Sequence, residues 1–167
     1  MSDRVSLFVD GANFFYSQRD SLGWWVDPKK LLGWCGNFGQ VVDATYYASV
    51  EPGNAQQEKY HKALAHMGFS LVTKDIKLIQ QADGSEKHKA NLDIEIVLDL
   101  FNTISTYDLA ILVSGDADFV RPLQMLKARG KRFMVVSTKG FLAHEMRQLA
   151  GMHYRDLADL RKLLEKD

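Results

Sequence analysis

Short apolar runs alternate with stretches of helical periodicity along most of the chain. The clearest buried strand is Leu109–Val113, and Val5–Val9 and Phe133–Val136 are similar short runs. Between such runs, Leu92–Ile104 and Phe119–Ala128 place apolar residues at helical spacing. Strands that alternate with helices are typical of parallel sheets covered on both faces, so the pattern predicts an α/β fold.

Weaker local patterns complete the predicted set of elements. A hairpin is predicted between residues 74 and 90, because Asp83-Gly84 stands between two polar arms. After Phe133–Val136 the chain is expected to be mainly helical, with a short strand near Tyr154. The other predicted helices and strands are Asn13–Arg19, Lys29–Cys35 (with Pro28 in its first turn), Val41–Val50, Gln56–Met67 and Phe69–Thr73.

Two of the predicted strands run directly into carboxylates. Asp10 follows the first strand, and Asp116 and Asp118 follow Leu109–Val113. In parallel α/β sheets, ligands bind outside the carboxyl ends of the strands. An aspartate there can be simply a helix N-cap, but Asp116 and Asp118 cannot both be the same cap. Their mutual repulsion would be relieved by a cation.

A third acidic position lies on a face that the sequence predicts to be buried. At 3.6 residues per turn, Asp93 shares a face with Ile96 and Leu100. Burying an unpaired carboxylate is costly, so Asp93 needs a partner, either a Lys or Arg side chain or a metal ion. Asp99 lies on a different side of this helix, and we expect it to be solvated or to support the site from behind.

Together, these positions indicate a cation-binding cleft. Asp10, Asp93, Asp116 and Asp118 are all expected at the same rim of the sheet, and four like charges there require a counter-ion. Oxygen ligands without a nearby His or Cys favour a hard cation, Mg²⁺ or Mn²⁺. Such a site can activate water and stabilise a leaving oxygen, and its natural chemistry is phosphodiester hydrolysis.

Charge and composition exclude several kinds of site but do not by themselves indicate a function. Of the 167 residues, 21 are Lys or Arg and 21 are Asp or Glu, so any electrostatic footprint for nucleic acid must be local. Cys35 is the only cysteine, which excludes an intramolecular disulfide and a Cys-based metal site. No apolar stretch approaches a membrane span or a signal peptide. We therefore expect a cytoplasmic protein that does not bind membranes.

Two groups of basic residues are candidates for holding a nucleic-acid backbone. The group on the predicted hairpin leads into the Asp93 helix and is favoured as a track for a single strand: Lys74, Lys77, Lys87, His88 and Lys89. The second group, apart from Lys139, is expected to be solvated surface at the opposite end of the sheet: Lys127, Arg129, Lys131, Arg132 and Lys139. Five aromatic residues could stack bases, although core packing is the favoured role for most of them: Trp24, Trp25, Tyr46, Tyr47 and Phe141. At least one ring of Trp24-Trp25 is expected to be exposed.

Three segments resemble the signature blocks of a known family. They are "FVDGANFF" at 8–15, "KANLDIEIVLDL" at 89–100 and "LVSGDADFVRPLQMLKARGKRFMVV" at 112–136. In this order and spacing they resemble the NYN domain family, which belongs to the PIN-like nuclease superfamily and includes LabA-like proteins. The resemblance extends from Val5 to about Leu157. It implies a Rossmann-like three-layer α/β/α sandwich with a mainly parallel sheet. The length of the chain suits one domain, so we expect a single domain over residues 1–167.

The resemblance also implies a Mg²⁺- or Mn²⁺-dependent endoribonuclease and assigns roles by position. Asp10, Asp93, Asp116 and Asp118 would be the catalytic, metal-binding acids. Asn13 would be a catalytic polar residue near the metal or the phosphate, and Ser114 would support the site from the strand end. Lys89 matches a motif lysine that could meet a substrate phosphate, with Lys87 beside it.

The chain departs from the family pattern at two places. The middle block has Ala90-Asn91-Leu92 where a small Gly-Val-type pair is usual, and the C-terminal block has Ala143 and Gly151 where Ser and Asp are common. The four acids are unaffected, so the departures concern the C-terminal side of the cleft and substrate choice.

Two other functions remain open on the sequence alone. The same fold could be a non-catalytic module that binds RNA or a protein and regulates expression. A phosphatase of small phosphomonoesters ranks last, because no Asp nucleophile motif supports it. The expected partner is single-stranded RNA, and the sequence leaves open whether the chain forms a homodimer.

Overall fold

A computed structural model describes residues 2–89 and 91–167, apart from the side chains of residues 77–79 and 86–89. Its centre is a sheet of six parallel strands, and a separate antiparallel hairpin stands beside it. In chain order the strands are β1 (Arg4–Asp10), β2 (Gln40–Val50), β3 (Ser70–Asp75), β4 (Lys77–Gln80), β5 (Glu86–Lys89), β6 (Leu109–Val113), β7 (Arg132–Ser137) and β8 (Tyr154–Asp156).

Helices connect the strands of the central sheet, as crossovers between parallel strands require. In chain order they are α1 (Gly11–Ser17), α2 (Pro28–Cys35), α3 (Ala55–Met67), α4 (Asp93–Asn102), α5 (Val120–Ala128), α6 (His144–Ala150) and α7 (Arg161–Leu164). In the part of the chain that is described, no helix combines the length and apolar character needed to span a membrane.

The strand order places a topological switch point at the centre of the sheet. The order is β3-β2-β1-β6-β7-β8, so the chain first builds outward from β1 and then returns to build in the other direction from β6. β1 pairs in parallel with β2 on one side and with β6 on the other. Ligands of open α/β sheets bind where the order reverses. The crevice between the ends of β1 and β6 is therefore the expected place for a site.

The sheet is covered on both faces, which makes three layers. Alternate residues of β1 point to opposite sides: Leu7 and Val9 belong to one core cluster, and Phe8 belongs to the other. The first cluster includes residues of α2, α3 and α7, and the second includes residues of α4, α5 and α6. The predicted α/β/α sandwich with a parallel sheet is confirmed.

The predicted elements are present, with small shifts at their ends. The helix predicted over Leu92–Ile104 begins at Asp93 and ends at Asn102, and the short strand near Tyr154 is β8. One segment differs in kind, because the helix predicted over Asn13–Arg19 is α-helical only to Ser17 and continues as a π-helical turn. The N–H of Gly23, at a φ of 73°, donates to the carbonyl of Gln18 and closes this wider turn.

One glycine fixes the distance between two loops at the carboxyl end of the sheet. Gly115 follows β6, and its carbonyl accepts the N–H of Ala143 at 2.9 Å. A Cβ on Gly115 would collide with the carbonyl oxygen of Phe141 and would lie 2.6 Å from the Cα of Leu142. Glycine is required here by close approach of backbone to backbone.

We expect Gly115→Ala to lower the free energy of unfolding by about 1–3 kcal/mol, because the inserted methyl group forces the two loops apart. Urea unfolding monitored by circular dichroism measures this change. Gly33→Ala is the matched control, because Gly33 lies inside α2 and a methyl group added there would have nothing within 4 Å. The control should be neutral or stabilising by up to about 1 kcal/mol. Equal stability of the two variants would contradict the packing role of Gly115.

Candidate functional site

Asp10 ends β1 and at the same time caps α1. Its Oδ1 accepts the backbone N–H of Asn13 at 3.3 Å, which is the geometry of an N-cap. Its Oδ2 accepts the hydroxyl of Ser114 at 2.9 Å, across the sheet at the end of β6. Asp10 therefore caps α1 with one oxygen and contacts the end of β6, inside the crevice, with the other.

Ser114 connects the two acidic strand ends. Its side chain is fully buried, and its hydroxyl donates to Asp10 while accepting the N–H of Asp116 at 3.2 Å. Asp116 in turn accepts the N–H of Asp118 at 2.9 Å and caps the short 3-10 turn that follows β6. Of the two neighbouring aspartates, Asp116 is thus the cap. These bonds hold the carboxylates of Asp10 and Asp116 in defined positions.

Asp93 reaches the crevice from the first residue of α4. The side chains of Ile96 and Leu100 on the same helix are fully buried, as the helical pattern predicts. The N–H of Asp93 donates to the side-chain oxygen of Asn91 at 2.7 Å, which fixes the start of the helix. Its Oδ2 is buried and has no hydrogen-bond partner within the described part of the chain.

The carboxylates of Asp10, Asp93 and Asp116 converge at the switch point. One oxygen from each lies within 4.8 Å of the others. Among the side chains that the structure describes, no Lys or Arg forms an ion pair with any of the three. The cluster is compatible with a divalent cation, because its donors are all oxygen and one oxygen of Asp93 has no hydrogen-bond partner among the described residues.

Burial and repulsion make the charged form of this cluster costly. Burial raises the pKa of Asp10, while the hydroxyl of Ser114 and the N–H of Asn13 oppose the rise. The pKa of Asp93 rises to about 7, first because the carboxyl is desolvated and then because Asp116 and Asp10 repel its charge. A cation would stabilise the ionised forms of both residues.

Asp118 lies at the edge of the cluster and does not belong to the group of three converging oxygens. It is exposed, and its carboxyl lies close enough to Asp93 to raise the pKa of Asp93 further. The sequence led us to expect four metal-binding acids at one rim of the sheet. The structure brings Asp10, Asp93 and Asp116 together and leaves Asp118 beside them.

The side-chain amide of Asn13 is occupied by backbone contacts. Its Oδ1 accepts the N–H of Gly115 at 3.2 Å, and its Nδ2 donates to the carbonyl of Phe141 at 3.4 Å. Asn13 lines the cleft, but its amide ties α1 to the two loops that close around the acids. A positioning function is what this geometry supports.

Sequence reasoning missed the contact between Tyr47 and Asp99. Tyr47 lies opposite Asp10 in the β1–β2 register and lines the cleft. Its hydroxyl donates to the carboxylate of Asp99 at 2.8 Å. Asp99 therefore supports the wall of the cleft from behind through Tyr47. The contact joins β2 to α4, and local sequence patterns do not specify how a strand and a distant helix pack against each other.

The basic residues divide into two regions. The side chains of Lys87 and Lys89 lie outside the described residues, and Lys74 pairs with Glu95 on α4. The second group, apart from Lys139, lies at the amino end of the sheet, where Lys131 donates to the carbonyl of Tyr107 and Arg132 pairs with Asp3. Lys139 instead follows the carboxyl end of β7.

The cleft at the acids has a volume of about 380 Å³. Its walls come from the ends of β1 and β6, from α1, from β2 and from the start of α4. The lining residues are Asp10, Ala12, Asn13, Tyr16, Asp20, Tyr47, Ser49, Asn91, Leu92, Asp93, Asp116 and Phe141.

Three comparisons place the chain among known proteins. A family model described as the NYN domain matches residues 4–158. The low amplitude and bright protein LabA of Synechococcus elongatus is 38% identical over 167 aligned positions, which cover 98% of this chain and 88% of LabA. The crystal structure of VPA0982, a protein of unknown function from Vibrio parahaemolyticus, superposes with a TM-score of 0.80 at 26% identity, covering 98% of this chain and 96% of that one.

The raised pKa of Asp93 predicts a pH-dependent loss of stability in the metal-free protein. Between pH 3.8 and about 7, folded Asp93 retains a proton that the unfolded chain releases. Because the folded state binds more protons in this window, the free energy of unfolding falls as pH rises and levels off above it. Asp10, whose pKa is also raised, contributes with the same sign.

Urea unfolding in the presence of a chelator at pH 5, 6, 7 and 8 measures this effect. Asp93→Asn should reduce the decline, because the amide does not titrate, whereas Asp159→Asn at an exposed position should leave it as in the wild type. Identical pH profiles for the wild type and Asp93→Asn would contradict the assignment.

Proposed function

This chain belongs to the NYN domain family, and we propose that it is a Mg²⁺- or Mn²⁺-dependent endoribonuclease that hydrolyses RNA phosphodiesters at its aspartate cluster. The observation that carries the proposal is the convergence of oxygens from Asp10, Asp93 and Asp116 within 4.8 Å of one another. The choice of RNA rests on membership of a family of the PIN-like nuclease type.

The proposed chemistry needs a divalent cation in the cluster. Asp10, Asp93 and Asp116 would hold it, and when bound it supplies a Lewis acid for the phosphate and lowers the pKa of a water molecule. Ser114 keeps the carboxylate of Asp10 oriented toward the cleft through its 2.9 Å hydrogen bond. Asp118, exposed beside Asp93, would accept the proton that water releases as it attacks phosphorus and the bond from phosphorus to the leaving ribose oxygen breaks.

The remaining predicted residues serve the cleft in this proposal. Asn13 and Gly115 hold the loops that shape it, through the 3.2 Å hydrogen bond between them. Lys87 and Lys89 stay proposed contacts to substrate phosphates, because β5 leads directly toward α4 and Asp93. The partner in this function is single-stranded RNA.

Cleavage of an end-labelled single-stranded RNA tests the proposal directly. We expect cleavage with Mg²⁺ or Mn²⁺ and none with a chelator. Because loss of groups that only support metal ligands reduces activity about 10–100-fold, Asp116→Asn should reduce the rate at least about 100-fold. Asp159→Asn, an exposed acid away from the cluster, is the matched control. Equal cleavage by Asp116→Asn and the wild type would indicate a contaminating nuclease and remove the proposal's support.

Metal binding can be tested separately from turnover. Mn²⁺ should raise the melting temperature of the wild type, because a ligand that binds only the folded state stabilises it by about 2.7 kcal/mol at 100 times its dissociation constant. Asp93→Asn should weaken this response. A melting temperature that stays unchanged up to millimolar Mn²⁺ would contradict the metal site. Stabilisation and RNA retention without cleavage would instead favour the non-catalytic binding module.

A further inference from the structure

Three large aromatic side chains form a continuous exposed strip on the outside of α1 and the segment that follows it. Phe15, Tyr16 and Trp25 are 43%, 45% and 47% exposed. The ring centroids of Phe15 and Tyr16 are 5.4 Å apart, and those of Phe15 and Trp25 are 5.6 Å apart. Contiguous exposed apolar surface of this kind marks binding sites more often than isolated exposed residues do.

The strip begins at the acidic cleft. Tyr16 lines the cleft together with Asp10 and Asp93. Tyr16 also lines a second cavity of about 430 Å³, to which Phe15 contributes. A chain whose phosphate sits at the acids would therefore meet Tyr16 first, and then either the second cavity or the rest of the strip.

The chemistry of the strip favours nucleobases over an aliphatic partner. Aromatic side chains next to a backbone-binding site stack successive bases of single-stranded nucleic acid without requiring a particular sequence. The guanidinium carbon of Arg19 lies 4.8 Å from the ring centroid of Tyr16 and 5.8 Å from that of Phe15. The Nε of Arg19 also donates a hydrogen bond to Oδ1 of Asp20 at 2.6 Å, so the carboxylate balances the charge of the guanidinium. Stacking is therefore the main interaction that the strip offers to a ligand.

We propose that Phe15, Tyr16 and Trp25 form a base-stacking platform that binds the nucleotides of single-stranded RNA next to the phosphate at the aspartate cluster. This inference rests on the proposed function and deepens it by naming how the substrate is held. The platform predicts a preference for single strands, because bases in a duplex are already stacked and their faces are not available.

Trp25 provides a direct spectroscopic test. The chain has three tryptophans, and the other two, Trp24 and Trp34, are only 6% and 8% exposed. A base that stacks on Trp25 should quench its fluorescence. The test titrates Asp116→Asn, in which cleavage is expected to be at least about 100-fold slower, with a short single-stranded RNA and with a base-free ribose-phosphate oligomer of the same length. Quenching is expected with the RNA alone, and Trp25→Phe should abolish it.

The affinity for RNA, measured by fluorescence anisotropy, tests the platform without relying on Trp25. Tyr16→Leu should weaken binding about 5- to 100-fold, and Tyr16→Phe should restore most of the affinity because the aromatic face is kept. Phe101→Leu is the matched control: Phe101 also lies beneath an arginine, Arg129 at 5.5 Å, but at the far end of α4 from Asp93. This control should bind RNA as the unsubstituted protein does.

The outcomes separate this inference from the ribonuclease proposal. RNA cleavage by the wild type together with equal affinity of Tyr16→Leu and Tyr16→Phe would overturn the platform and leave the nuclease intact. Base-dependent quenching without cleavage at any divalent cation would overturn the nuclease and leave the platform. A dimer in sedimentation that Tyr16→Leu dissociates, with no quenching by RNA, would show that the strip binds a second copy of the chain and would overturn the platform.

Discussion

The mutual repulsion of three carboxylates at the switch point is the constraint on which the candidate site depends. Asp10, Asp93 and Asp116 come from three different elements and meet within 4.8 Å, partly out of contact with water. Folding a chain around such a cluster costs free energy, and the raised pKa values of Asp10 and Asp93 express that cost. Carboxylates with perturbed pKa values cluster at functional sites, so this destabilising arrangement marks the crevice as a candidate site.

The surrounding residues reduce the repulsion only in part. Ser114 and the backbone N–H of Asn13 donate to Asp10, and the N–H of Asp118 donates to Asp116. These donors also fix where each oxygen points, because each bond joins the carboxylate to a strand end or a helix start. One oxygen of Asp93 remains unpartnered among the described residues, and the cluster is compatible with a divalent cation.

In the proposed function, the acids bind the phosphate of the substrate and the aromatic strip binds its bases. The acids lie in a cleft of about 380 Å³, and Tyr16 connects that cleft to the exposed rings of Phe15 and Trp25. Both features follow from one segment, because α1 starts at the cap formed by Asp10 and carries Phe15 and Tyr16 on its exposed side. LabA and VPA0982 establish the family and the fold, and neither name states an activity.

The sequence by itself determined the elements and which acids stand at their ends. Period-two and period-3.6 patterns are local, so they were sufficient to place Asp10 and Asp116 after strands and Asp93 on a buried helix face. Strand register, loop approach and side-chain direction depend on contacts between distant segments. Only the tertiary structure could therefore decide that Asp118 stays at the edge, that the amide of Asn13 holds Gly115, and that Tyr47 bonds Asp99.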